Sequence, residues 1–197
     1  MRKLKLQVQI SVDGYIATTD GKTGWLIWNW GPVWNWDDDL RKYFIGLTAA
    51  VDCVLLSRKM AEEGFIDHWA KCAENPDDPQ YAFASKIEAA QKVVFSKTLH
   101  KSIWKNTRMA GDTLAGEINQ IKNSPGKDII VYGGASFVSA LIKAKLIDEF
   151  HLFVNPAILG KGMTIFSELG NKQNLALIKS VAYDCGVAVL VYAPKKD

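Results

Sequence analysis

The residues best placed to do chemistry lie between Asp128 and Phe150, in the segment DIIVYGGASFVSALIKAKLIDEF. A short apolar run, Ile129 to Tyr132, meets Gly133 and Gly134. An apolar helical face of Ala135, Phe137, Val138, Leu141 and Ile142 then begins at once. A strand that enters a helix through two glycines can bring its backbone close to a ligand, because no Cβ intervenes. The first N–H groups of a helix have no partner inside it and attract an anion such as a pyrophosphate. Taken alone, the glycine pair reads first as a packing device between strand and helix and only second as a ligand turn. The three-glycine dinucleotide fingerprint with its downstream acid is absent here, and no GxxxxGK(S/T) loop occurs anywhere in the chain.

The acids come in two groups. Asp13 stands in an Asp-Gly pair, a common turn. Asp37, Asp38 and Asp39 open a helix expected to run to about Ala50, and acids in a first helical turn are favoured by the helix dipole without any catalytic part. Between these groups, residues 18–36 carry Trp25, Trp28, Trp30, Trp34 and Trp36, broken by Gly24, Gly31 and Pro32. A long irregular stretch inside a compact domain is usually a lid or binding loop. The alternative is a loop that covers core with its own rings, and the reading here favours the lid. Cys53, Cys72 and Cys185 are widely spaced with no CxxC pair, and His68, His100 and His151 lack metal-ligand spacing, so neither a disulfide framework nor a zinc site is expected. Cys53, in an apolar run, reads as a buried small hydrophobe.

These groups need a scaffold, and the 197 residues are enough for one domain with a sizeable core. Leu4 to Ile10 alternates apolar and polar residues as a strand does. Further strands are expected at Asp52 to Ser57, Lys92 to Phe95, Ile129 to Tyr132, Glu149 to Val154, Ala176 to Tyr183 and Val187 to Tyr192, the last two joined by a hairpin at Gly186. Helical patterns begin at Arg58, run from Tyr81 to Gln91, and run from an Asp112 cap to about Lys122. His68 to Asp78 reads as a polar connection. Strands alternating with helices and ending in two adjacent strands predict an α/β fold on a mostly parallel sheet with an antiparallel edge, in a single domain over residues 1–197. The net charge of +3 is too small and too scattered for nucleic acid. No apolar run approaches the length of a membrane span, and the N-terminus lacks the apolar core of a signal peptide, so a cytoplasmic protein without membrane contact is expected.

Five stretches in order, ISVDGYIA, DCVLLSRKM, VVFSKTL, IIVYGGASFVSAL and IDEFHLFVNPAILGKG, resemble the dihydrofolate reductase-like superfamily. Within it they are most similar to the reductase domain of bacterial riboflavin biosynthesis, the RibD C-terminal domain, and its stand-alone relatives. The resemblance implies a three-layer α/β/α sandwich with a mixed, mostly parallel sheet of about eight strands. It also implies NADPH as hydride donor and a homodimer built on the late apolar strands. Carried over by residue, it places the cofactor pyrophosphate on Gly133 and Gly134, with Tyr132 before them and Ala135, Ser136 and Phe137 at the helix start. It gives Ser57, Arg58 and Lys59 to the phosphates, including the 2′-phosphate, and Ser96 and Lys97 to the adenosine half. A 2′-phosphate dianion suits guanidinium, ammonium and hydroxyl donors at a sheet's carboxyl edge.

On the substrate side the resemblance points to Asp39, with Tyr43 four residues on, as the acid that serves the reduced C=N bond, and to Asp13 in the turn. Asp37 and Asp38 compete with Asp39 for that place. Two positions depart from the riboflavin enzyme, where a lysine usually follows the Asp-Gly turn and an acid commonly precedes the glycines; here they are Tyr15 and Tyr132. The reading is therefore an NADPH-dependent reductase of a small heterocycle, pterin or ribosylamino-pyrimidine in type. The alternative is an NADP(H)-binding module without turnover.

Overall fold

In the computed structural model, which describes residues 1–195, each apolar run singled out above forms a strand. The elements are β1 (Leu4–Ile10), α1 (Asp38–Ala49), β2 (Val51–Ser57), α2 (Arg58–Glu62), α3 (Phe65–Cys72), α4 (Tyr81–Ala89), β3 (Gln91–Phe95), β4 (Thr107–Met109), α5 (Leu114–Asn123), β5 (Asp128–Tyr132), α6 (Ala135–Lys143), β6 (Glu149–Val154), β7 (Leu175–Ala182) and β8 (Ala188–Pro194). The fold is α/β on an eight-stranded mixed sheet, mostly parallel, as the sequence pattern predicts. The chain divides into two compact units. One holds Met1–Leu4 and Lys42–Gly134; the other holds Lys5–Arg41 and the chain from Ala135 onward. No helix among the described residues is long and apolar enough to cross a membrane.

In the first unit the strand order is β4-β3-β2-β5, all parallel. Parallel neighbours need crossover connections, and helices α2 to α5 lie in those connections. The middle strand reads as a continuous apolar run, because a strand covered on both faces has no polar side to show. Val54, Leu55, Leu56, Val93, Val94, Ile129, Ile130 and Val131 are fully buried. Phe44 of α1 stacks on Phe83 of α4 with ring centroids 4.4 Å apart, and Trp69 meets Phe83 edge-on at 4.5 Å. Arg2, nearly buried, ties the N-terminus down through Asp52, the Lys127 carbonyl and Ser124.

Three local readings need correction in this unit. The stretch from His68 is not simply a polar connection, since helix α3 runs through Cys72. Phe65, Ile66 and Trp69 share its buried face while Asp67 and Lys71 point outward, and those outward residues make the stretch look polar in sequence. The cap of α5 is Thr113, whose Oγ1 accepts the Gly116 N–H at 3.2 Å; Asp112 sits one residue outside and accepts the Thr113 N–H at 2.6 Å. Strand β4 has three residues, too few to show a period.

The second unit has the order β1-β6-β8-β7, with β1 parallel to β6 and the rest antiparallel. The late hairpin turns at Gly186, which sits in the left-handed region at φ 92° that glycine enters without strain. Helix α6 buries Val138, Ser139, Leu141 and Ile142. The buried Ser139 hydroxyl donates to the Ile165 carbonyl at 2.7 Å.

Candidate functional site

Strand register sets the first half of the site. In the first unit Ser57 pairs with Phe95 and Leu56 with Tyr132. The three strands β3, β2 and β5 are parallel neighbours, so all leave the sheet at one carboxyl edge. Ser57-Arg58-Lys59, Ser96-Lys97 and Gly133-Gly134 are therefore the first residues past a common edge. Ligands of open parallel sheets bind in that position, where the strand ends and helix starts present donors to the same space.

Each group at this edge is lightly held. Ser57 caps α2, its Oγ accepting the Met60 N–H at 3.2 Å. The Ser96 Oγ accepts the N–H groups of Thr98 at 3.1 Å and Leu99 at 2.7 Å, tightening the turn after β3. A hydroxyl that accepts in this way still has its own O–H to give. Arg58 and Lys59 are exposed and reach glutamates one turn along, Arg58 to Glu62 at 2.8 Å and Lys59 to Glu63 at 3.6 Å. Exposed pairs of that spacing are worth about 0.3–0.5 kcal/mol, so releasing either cation to a phosphate costs little. Lys97 is exposed as well.

At the end of β5 the groups divide differently. Tyr132 turns its ring into the core against Phe65, centroids 5.2 Å apart, and burial drives its hydroxyl pKa upward. What Tyr132 offers the edge is backbone. A Cβ added at Gly134 would meet nothing within 4 Å, so the turn has open space beside it. Helix α6 starts immediately after, with Ala135, Ser136 and Phe137 as its first turn. Within the first unit this donor set fits a phosphate: hydroxyls and exposed cations just past one strand edge, with room at the glycine.

The acids of the second unit are held differently. Asp13 accepts the Ser11 hydroxyl at 2.6 Å, the Leu159 N–H at 3.2 Å and the Gly160 N–H at 2.7 Å. The Ser11 bond, and after it the backbone bonds from Leu159 and Gly160, hold its pKa below the usual carboxylate range. The structure thus places Asp13 as a staple between the turn after β1 and the loop after β6. Asp37 caps α1 by accepting the Leu40 N–H at 2.9 Å, and its other oxygen accepts the Cys185 N–H at 3.0 Å. Burial pushes the Asp37 carboxyl up, yet those N–H groups outweigh it and its pKa falls below the ordinary value. Asp39 lies exposed in the first turn of α1.

Tyr183 and Asn155 were not singled out in the sequence. Burial, and then the negative charges of Asp37 and Asp39, raise the pKa of Tyr183, which identifies it as a neutral hydroxyl among those acids. Asn155 is fully buried. Its Oδ1 accepts the Ile27 N–H at 3.0 Å, and its Nδ2 donates to the Phe153 carbonyl at 3.2 Å and to Gln9 Oε1 at 3.3 Å. Gln9 in turn donates to the Trp28 carbonyl at 2.9 Å. Asn-Pro in sequence signals only a turn, so nothing short of the fold reveals this anchor.

That anchor holds the tryptophan segment, where the lid reading needs correcting. Trp28, Trp34 and Trp36 are 2%, 4% and 1% exposed. Trp28 stacks on Trp34 at 5.0 Å and meets Trp36 edge-on at 4.7 Å, and Trp36 stacks on Phe153 of β6 at 5.4 Å. Arg41 covers Trp34 at 5.7 Å and donates to its carbonyl. These rings are core rather than cover. Trp25 and Trp30 are half-buried, the tryptophans of the segment that keep exposed surface.

The chain is similar to proteins of one family and fold. The RibD C-terminal domain family model matches residues 2–189. YyaP of Bacillus subtilis (strain 168), an uncharacterized protein, is 29% identical over 193 residues, 97% of this chain and 94% of that one. Among solved structures, a putative riboflavin biosynthesis protein from Shewanella sp. PV-4 superposes with a TM-score of 0.72 at 21% identity, covering 100% of both chains. The diaminohydroxyphosphoribosylaminopyrimidine deaminase / 5-amino-6-(5-phosphoribosylamino)uracil reductase of Thermotoga maritima does so with a TM-score of 0.65 at 16% identity, covering 98% of this chain and 57% of that one. This chain belongs to the RibD C-terminal domain family.

Proposed function

We propose that this member of the family is an NADPH-dependent reductase of a flat heterocycle of the pterin or ribosylamino-pyrimidine type. One observation carries the cofactor half of the reading. Three parallel strands end in register, and each is followed by residues that suit a phosphate: Ser57-Arg58-Lys59, Ser96-Lys97 and Gly133-Gly134. Bound there, NADPH supplies the hydride. Gly133 and Gly134 would receive the pyrophosphate, since no Cβ stands between their backbone and a ligand. Arg58 and Lys59 exchange their glutamate partners for the 2′-phosphate, and an arginine fork grips such a group at two points. Family membership and the reductase relatives support the redox reading.

The proton that follows hydride transfer must come from an acid or from water. Asp13 is a poor source because its hydrogen bonds favour the ionised form. The resemblance assigns this task to Asp39. The engagement of Asp13 and Asp37 in loop hydrogen bonds also favours the second reading, a binder that kept the cofactor edge without turnover.

Calorimetric titration with NADPH and NADH tests the cofactor. Micromolar NADPH binding is expected, with NADH weaker by at least tenfold, and Arg58→Ala should remove that preference. No binding of either nucleotide would end the proposal. Oxidation of NADPH in the presence of dihydrofolate or of the ribosylamino-pyrimidine separates enzyme from binder, and Asp39→Asn should then lower turnover while leaving NADPH affinity intact.

A further inference from the structure

The histidines have no metal-ligand spacing among themselves, but His68 and Cys72 stand four residues apart on α3. Residues so spaced share a helix face, one turn apart. Phe65, Ile66 and Trp69 anchor α3 by its buried face, and His68 and Cys72 lie half-buried beside that face, within reach of solvent. The imidazole sits edge-on to Trp69, ring centroids 4.5 Å apart, which holds its plane. Its Nε2 lies 3.9 Å from the Cys72 Sγ, and among the described residues neither side chain has another hydrogen-bond partner. That span is long for a hydrogen bond. It suits a bridging ion better. Zinc binds sulfur at about 2.3 Å and imidazole nitrogen at about 2.0–2.1 Å, which sets the two ligand atoms about 3.5 Å apart at a tetrahedral angle and about 4.3 Å apart in a line.

We propose that His68 and Cys72 form a two-point chelate for zinc, with water completing its coordination. A thiolate and an imidazole are the pair that such an ion prefers. The charge of Asp78, in the connection after α3, reaches both side chains and favours a cation between them. On binding, the Cys72 thiol releases its proton to solvent and the sulfur enters as thiolate; the His68 Nε2 enters through its lone pair, its proton resting on Nδ1. A cysteine beside a histidine also suggests a nucleophile. Burial, and after it the Asp78 charge, raise the Cys72 pKa, so without a metal the thiol stays protonated at neutral pH and is a poor nucleophile. The chelate does not depend on the cofactor assignment.

Cobalt(II), a coloured stand-in, and zinc in competition test the site on the full chain kept reduced without thiols. The wild type should take one equivalent of cobalt with thiolate-to-metal charge-transfer absorption, and zinc should abolish that absorption. Cys72→Ser should remove it, and His68→Gln should weaken binding roughly tenfold or more, both with an unchanged circular dichroism spectrum. Cys185→Ser should keep colour and affinity. In the unaltered protein, zinc should slow alkylation of Cys72 by iodoacetamide, read by peptide mapping, and leave Cys185 unprotected; this readout requires no variant to fold. A wild type without the charge-transfer absorption would overturn the chelate. So would binding of undiminished affinity in Cys72→Ser, or zinc protection that falls on Cys185 instead.

Discussion

The polar groups at the carboxyl edge of the first unit and those in the loops of the second are opposite in commitment. Arg58 and Lys59 pair with exposed glutamates one turn along, Glu62 and Glu63, and Gly134 faces open space. Asp13, Asp37 and Asn155 are bonded to backbone N–H groups of distant segments, Leu159 and Gly160, Cys185, and Ile27. Weakly held cations can turn to a ligand at small cost; a carboxylate that satisfies two amides cannot leave without orphaning them. The fold therefore leaves the cations of one strand edge lightly paired and uses its most conspicuous acids as staples. If that contrast is right, substitutions at the edge change affinity without stability, and substitutions in the loops change stability first.

The largest effect should come from Trp36→Ala. Its ring is 1% exposed and lies between Trp28 and Phe153. Deleting a buried aromatic costs about 3–5 kcal/mol, read from the midpoint of urea unfolding at constant slope. A cost below about 1 kcal/mol with a raised substrate KM would restore the lid and erase the contrast.

Gly134→Asp probes the other side. The residue stands just before α6, where aspartate is a favourable cap, and a Cβ there meets nothing within 4 Å. The melting temperature should hold or rise. The same carboxylate sets a negative charge where the pyrophosphate is proposed to bind, so NADPH should bind at least 100-fold more weakly, about 2.8 kcal/mol. Unchanged affinity in calorimetry would move the cofactor away from this turn.

A smaller loss is expected for Asn155→Leu, which leaves the Ile27 N–H and Gln9 Oε1 without their partner in a partly buried place. Water can reach part of that place, so the two orphans together should cost about 1–3 kcal/mol. The loss should appear in unfolding, with NADPH affinity preserved.

The same contrast explains what could be read in advance. Strands such as β1 and β2 were legible because their apolar period is set by burial within the strand itself. The order of Ser57, Ser96 and Gly133 was legible as a family resemblance, while their meeting at one edge depends on a register no local pattern carries. Asp13 was misleading because its partners lie 146 and 147 residues away, and Asp-Gly looks the same whether or not anything reaches it. The tryptophans read as a lid for a related reason. A segment with no period gives no inward face, so the burial of Trp28, Trp34 and Trp36 depends on Phe153 and on the Asn155 anchor.

The smallest predicted effect sharpens the contrast most finely, because it separates a staple from a proton donor in one group. The folded pKa of Asp37 lies below its unfolded value near 4, since the Cys185 and Leu40 N–H groups favour the ionised carboxylate over the opposing effect of burial. A depressed pKa gives stability that is complete above the unfolded value and is lost as pH falls through the folded one. The melting temperature of the wild type should therefore exceed that of Asp37→Asn by a constant amount at neutral pH, and the gap should close as the pH falls below about 4. Asp37 stays charged throughout the neutral range, so any limb of the pH–rate profile between about 5 and 8 must belong to another group. That limb should survive the substitution unchanged. A gap that persisted in acid, or a limb that vanished with Asp37→Asn, would show a carboxyl that titrates in function, and the division between loose edge and stapled loops would fail at that residue.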